Sequence, residues 1–242
     1  MKWVRDTTGR FSQRPHYEPA EIDVECESLI SQFLRHRHDV VEYPISTDDL
    51  IVLLEREAAD VDIYADLTDE GPAVEGATYF DPKGKPTIKI ARHLAEDPWA
   101  INRFRTTATH ELGHVRFHAF LWPLEPPPSL FDSVTPTSAA DPSPRCQRDS
   151  IQTVRAVDWM EWQAGYASGS LLMPVGALHR VVESARRSAG LVTSPTESSS
   201  DAAALIKTVA AAFEVSAEAA RVRLAQLRLL RPPSAQTSDL AL

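Results

Sequence analysis

The chain has 242 residues, a formal net charge of −9 and 43% hydrophobic residues, enough to bury one core and carry a small appendage. Its acidic balance excludes a general polyanion binder and leaves only local basic patches as candidates for nucleic-acid contact. With only 2 cysteines, Cys26 and Cys146, a disulfide framework is excluded, and neither has the spacing of a cysteine metal site.

From the start, Met1-Lys2-Trp3-Val4-Arg5-Asp6 is polar and leads into no signal peptide or membrane-spanning run, so the expected location is cytoplasmic. Residues 18–34 and 47–59 read as helices. Ser46 or Thr47 caps the second, and Leu50, Leu53 and Leu54 form its apolar side. Strand signals follow at 61–67, 77–80 and 87–91, with the Pro/Gly-rich stretch 81–86 turning between the last two. One edge of such a small sheet is a candidate for pairing with an extended peptide.

The next segment carries the chemistry. Asp97 followed by Pro98 is a helix start, and the apolar spacing of Ile101, Phe104, Ala108, Leu112, Val115 and Ala119 predicts a helix over 97–120 with a core-facing stripe. Within it stands His110-Glu111-Leu112-Gly113-His114, a His-Glu-x-x-His motif. One helical turn separates the two histidines, so both imidazoles can reach one metal ion. Glu111, on the flank, can act on a water as general base without being a ligand. His118 is one further turn along, and three ligands at such spacing on a straight helix span about 12 Å, too far for one ion. A packing or supporting role is expected for it. His16, His36, His38, His93 and His179 show no ligand pattern.

Seven prolines fall in 122–145, which reads as an extended surface loop. A second helix follows from Asp158. Its small residues Ala164, Gly165, Ser168 and Gly169 share a face with Glu161, allowing close approach to a neighbouring helix. Glu161 is thus a candidate third ligand. Asp158 competes with it, although Asp158 also suits the N-cap position. Beyond a polar linker at 186–200, residues 201–213 and a helix capped by Ser216 surround a short turn, a helix-turn-helix-like arrangement. Arg221, Arg223, Arg228 and Arg231 are its candidate phosphate contacts. A packing or substrate-docking role is the preferred expectation, because the acidic chain lacks a broad basic footprint. The tail 232–242 is expected to be disordered.

Taken together, these segments resemble the ImmA/IrrE metallopeptidases. The likeness rests on Arg105-Thr106-Thr107-Ala108-Thr109 leading into the His110 to His114 motif and His118, on Glu161-x-x-Ala164 with its helix ending in Leu171-Leu172-Met173-Pro174, and on Phe213-Glu214-Val215-Ser216 with the arginine-bearing helix after it. Gly165 departs from the Asn that members often carry there. The resemblance implies an α+β, zincin-like metallopeptidase domain over 1–185, with a small sheet beside the HExxH helix and a second ligand-bearing helix, and a C-terminal helical subdomain at 201–231. It implies zinc held by His110, His114 and Glu161, and Glu111 as the catalytic base; manganese can substitute, because two imidazoles and a carboxylate do not select zinc by softness alone. It further implies a cytoplasmic endopeptidase that cuts a helix-turn-helix repressor to relieve repression in stress-response or mobile-element circuits. Two other readings are a non-proteolytic toxin-antitoxin-type partner and a DNA-binding regulator acting through the C-terminal helices.

Overall fold

The structure, a computed structural model, describes residues 1–71, 73–124, 145–147 and 158–232. Residues 125–144 of the proline-rich interval and 233–242 of the tail lie outside the described residues. The chain divides into two compact units, Met1–Pro174 and Val175–Leu242.

The first unit is α+β. It opens on an antiparallel hairpin, β1 (Lys2–Arg5) and β2 (Gln13–His16), which places Trp3 opposite Pro15. These short polar strands carry no alternating apolar signal, and a proline is tolerated because each strand has an open edge. α1 (Pro19–His38) runs one turn further than its apolar pattern, ending on Asp39 in the left-handed region with Arg35 to His38 at the negative end of the helix dipole. α2 (Thr47–Glu57) is capped by Ser46, whose hydroxyl accepts the Asp49 N–H at 3.0 Å.

Four strands form the sheet: β3 (Asp60–Ala65), β4 (Val74–Tyr79), β5 (Thr87–Ala91) and β6 (Arg145–Gln147), in the order β3-β5-β4-β6. β3 is parallel to β5, and β4 is antiparallel to both β5 and β6. β4 begins at Val74, ahead of the expected 77, because Glu75 and Gly76 weaken its strand signal while the fold buries every residue from Val74 to Thr78.

After the short helix α3 (Arg92–Glu96), Asp97 caps a 3₁₀ turn at Pro98–Ala100, accepting the Trp99 N–H at 2.9 Å, and α4 (Ile101–His118) follows. Ile101, expected in the core stripe, is exposed at the mouth of the helix. Further along, the one-sided stripe gives way to complete burial from Thr107 to Val115. The reason is location: α4 packs on α5 (Trp159–Leu172), α2 and β4, so no face is left for solvent. Arg105 is accommodated there by donating to the Ile45 carbonyl at 2.9 Å and the Thr47 hydroxyl at 3.2 Å.

The second unit is helical: α6 (Val175–Ser188), α7 (Ser200–Phe213) and α8 (Ala217–Gln226). Its boundary falls at Pro174 rather than the expected 185, because α6 buries Ala177, Leu178 and Val182 and packs on α7. The stretch expected as a linker is also tied down. Glu197 donates its N–H to the Arg231 carbonyl at 2.9 Å, and Arg231 donates back to Pro195 at 2.9 Å. Ser216 caps α8 by accepting the Ala219 N–H at 3.1 Å. Of the four arginines proposed to touch phosphate, Arg223 is buried and Arg221 is ion-paired to Glu218 and Glu197, leaving Arg228 and Arg231 exposed.

Asp49 joins α1 to α2, receiving Arg37 Nε at 2.6 Å and His38 Nε2 at 3.0 Å. Burial raises its carboxyl, but the bonds from Ser46, His38 and Arg37 outweigh this and hold it below the usual carboxylate range. A depressed native pKa stabilises the fold above the unfolded value of about 3.9, and that gain is lost as pH falls through the native value. Asp49→Asn is therefore expected to cost about 1 kcal/mol at pH 7, with half-exposed partners limiting the loss. Urea titrations at neutral and acidic pH check this: the gap to wild type should close on acidification, and a pH-independent gap would contradict it.

Candidate metal centre

The centre is built where α4 and α5 meet with almost nothing between them. A Cβ on Gly113 would lie 3.0 Å from Ala164 Cα, 3.1 Å from the Ala164 carbonyl oxygen and 3.2 Å from Ala167 Cβ. Only glycine permits this approach without displacing backbone. Beside it the Thr109 and Ser168 hydroxyls meet at 2.8 Å, and Ser168 donates to the Thr106 carbonyl at 3.1 Å. Ala164 and Ser168 belong to the small-residue face read from sequence, and Ala167 adds to it.

This contact brings His110 and His114 on α4 to Glu161 in the first turn of α5. His110 Nε2 and His114 Nε2 are 3.1 Å apart, His110 Nε2 is 3.2 Å from Glu161 Oε2, and His114 Nε2 is 3.3 Å from Glu161 Oε1. The edges of a tetrahedron around an ion with ligands at about 2.0 Å measure about 3.3 Å, so the three donors already stand at coordination spacing. The donor set suits a divalent ion: two imidazole nitrogens and one carboxylate. These three residues can hold a metal ion, and they are the one such group among the described residues. Asp158 takes the other role open to it. It caps α5 by accepting the Met160 N–H at 3.0 Å and receives Arg10 at 3.0 Å, outside the cluster.

Glu111 is fully buried beside the cluster and is not part of it. Its Oε2 accepts the Thr78 hydroxyl at 2.7 Å, while Oε1 has no hydrogen-bond partner among the described residues. β4 makes room for it: a Cβ on Gly76 would lie 2.6 Å from Glu111 Oε1 and 2.7 Å from Thr107 Cγ2. Gly76 and Thr78, two positions apart on one strand, thus cradle the carboxylate from a single face. Burial raises the Glu111 carboxyl above its ordinary value, against the opposing pull of His114, His110 and Thr78. Glu161 goes the other way. Burial raises it too, but His114 and His110 outweigh that and hold it well below the carboxylate range.

His118 lies behind the ligands. Its Nδ1 is 3.0 Å from His114 Nδ1, and its Nε2 is 3.0 Å from Gln163 Oε1. Burial, with His114 next to it, pushes the His118 imidazole well below the usual histidine range. Gly76, Thr78 and Gln163 were not picked out from the sequence. A glycine inside a strand is a sign of close backbone approach and marks Gly76 in retrospect. Thr78 and Gln163 carry no local signal, because their partners lie far away in the chain.

β4, the strand next to the site, is hydrogen-bonded on both sides, to β5 and to β6, so among the described residues the sheet edges are β3 and β6. Comparison of the chain with models of known protein families and with curated proteins finds no match.

The close contact yields a test. Gly113→Val should force α5 outward, lowering stability by roughly 1–3 kcal/mol and reducing the metal bound per chain. Denaturant unfolding and metal analysis of the purified variant measure both. Full metal content at unchanged stability would show that the two ligand-bearing helices can separate freely.

Proposed function

We propose that the protein is a zinc-dependent endopeptidase of the zincin-like kind, as the resemblance to the ImmA/IrrE metallopeptidases implies, and that its substrate is a helix-turn-helix repressor. The observation that carries this reading is the pairing of a two-histidine, one-carboxylate ligand set with a second, non-ligating carboxylate buried beside it. A purely structural metal site closes its coordination with protein ligands and needs no such companion.

A divalent ion bound there supplies Lewis acidity, polarising a carbonyl and making water easier to deprotonate. The chain's own groups do the remainder. Glu111, hydrogen-bonded at Oε2 by Thr78, accepts a proton on Oε1 from the attacking water. Its raised pKa lets it keep that proton and then deliver it to the departing amine. Gly76 leaves Oε1 the space to do so. The engaged Arg221 and the buried Arg223 give the DNA-binding alternative no specific support.

Glu111→Gln keeps side-chain size and all three ligands but removes the proton acceptor. It should retain about one zinc per chain and lose about 10²-fold to 10⁴-fold in cleavage rate. Co-expression with a candidate helix-turn-helix repressor, followed by pull-down and mass measurement, tests this directly: the wild type should yield a truncated repressor and Glu111→Gln an intact, bound one. Binding without cutting by both proteins, with zinc or manganese supplied, would leave the toxin-antitoxin-type reading in its place. Gly76→Ala, which crowds Glu111 Oε1, should also retain metal and lose at least about tenfold in rate. A fully active Gly76→Ala would show that the position of Oε1 does not matter.

A further inference from the structure

We propose that the Pro15 carbonyl, Gln163 and His118 form a hydrogen-bond relay that fixes His114 with its proton on Nδ1, leaving the Nε2 lone pair to bind the metal. The inference rests on the reading of His114 as a metal ligand, and it assigns Gln163 and His118 as positioning residues.

The relay has one consistent direction. Its three links, Gln163 Nε2 to the Pro15 carbonyl, Gln163 Oε1 to His118 Nε2, and His118 Nδ1 to His114 Nδ1, are each 3.0 Å long. A proline carbonyl can only accept, so the amide nitrogen of Gln163 must face it. Turning the amide over would set two oxygens against each other. With its nitrogen on Pro15, Gln163 presents an oxygen to His118, and His118 Nε2 must carry the hydrogen. A neutral imidazole then has a bare Nδ1. That nitrogen accepts, so His114 Nδ1 donates, and its Nε2 is left unprotonated and facing His110 Nε2 and Glu161.

Burial makes the sequence of choices binding. His114, His118 and Gln163 are all buried, so no solvent competes for these bonds. Trp159 stands edge-on to the His118 ring, with centroids 5.4 Å apart at 86°, and packs against it. The effect is selective. His110 Nδ1 has no hydrogen-bond partner among the described residues, so this support serves one of the two histidines. It also ties the site to the N-terminal hairpin, since Pro15 belongs to β2.

Three variants, read by chelator competition for zinc at neutral pH, test the relay. His118→Leu removes the acceptor. Gln163→Leu removes the group that orients His118, which can then turn its proton onto Nδ1 and drive the His114 proton to Nε2. Each should bind zinc about 10-fold to 100-fold more weakly, the scale for losing a group that orients a ligand. His118→Asn keeps an acceptor oxygen as many bonds from Cβ as Nδ1 is, and should stay within about threefold of wild type. Nitrogen-15 imidazole NMR of the zinc-loaded wild type should show His114 protonated at Nδ1. Wild-type affinity in both leucine variants, an asparagine variant as weak as His118→Leu, or His114 bound through Nδ1 would each overturn the relay. Should His118→Leu not fold, Gln163→Leu and the NMR spectrum decide. Because the readout is the metal alone, weakened variants support the relay whether or not the wild type cuts a peptide. Equal affinities overturn it even where the wild type cuts.

Discussion

The backbone contact between α4 and α5 at Gly113 and Ala164 is the constraint from which the site follows. Glu161 lies one turn before Ala164, and His110 and His114 bracket Gly113, so all three candidate ligands sit within a turn of the closest approach. A carboxylate on one helix and two imidazoles on the other can stand 3.1 to 3.3 Å apart only if the helices are in contact. A methyl group at Gly113 would meet Ala164 Cα at 3.0 Å and press the two helices apart. The two hydroxyls at Thr109 and Ser168 hold the same distance a turn before Gly113 and a turn after Ala164, on the side away from Glu161 along α5, where leucines would spread it.

Such closeness forces polar groups into the interior. Between Arg105 and His118, α4 buries an arginine, two threonines, three histidines and a glutamate. A buried polar atom without a partner costs about 1–3 kcal/mol. The fold meets this with partners from three other places, the turn before α2, β4 and α5: the Ile45 carbonyl for Arg105, Thr78 for Glu111, and Ser168 and Gln163 for Thr109 and His118. Glu111 Oε1 and His110 Nδ1, both at the centre, have none among the described residues. Thr107 Oγ1 on the same helix has none among the described residues either, so the unmet atoms are not confined to those the proposed chemistry uses.

How far the sequence foretold this depends on whether a signal is local. Ser46, Asp97, Asp158 and Ser216 each cap a helix or turn where their position in the chain suggests, because capping involves only the next few residues. The spacing of His110, Glu111 and His114 is likewise complete within one turn. By contrast, β1 and β2 are too short and polar to show alternation, and β6 is a strand only by pairing with β4. α6 was missed at the edge of the expected domain, although its apolar face is what draws the boundary to Pro174. Ile101 continued the α4 stripe by spacing alone, but helix ends lie outside the layer that buries the middle turns. Thr78 and Gln163 are defined by what they touch, and no window along the chain contains both partners.

The two carboxylates of the centre are chemically identical and are driven to opposite behaviour by what surrounds them. Both are penalised by burial. Glu161 faces the Nε2 atoms of both histidines directly, and their attraction exceeds the penalty, so it is held as an anion, the form a metal ligand must take. Glu111 is turned toward β4, where the pull of His114 and His110 and one hydroxyl at Oε2, with no partner at Oε1 among the described residues, do not offset the penalty. Its proton affinity is therefore raised, which suits a group that must take up a proton and release it again rather than stay ionised. The difference comes from geometry: Glu161 enters from a second helix and points along the ligand side, whereas Glu111 leaves α4 toward a glycine in a strand. A bulkier residue at Gly76 or a shift of α5 would erode that distinction from opposite sides, which makes the strand glycine and the helix glycine, at 76 and 113, complementary parts of one design.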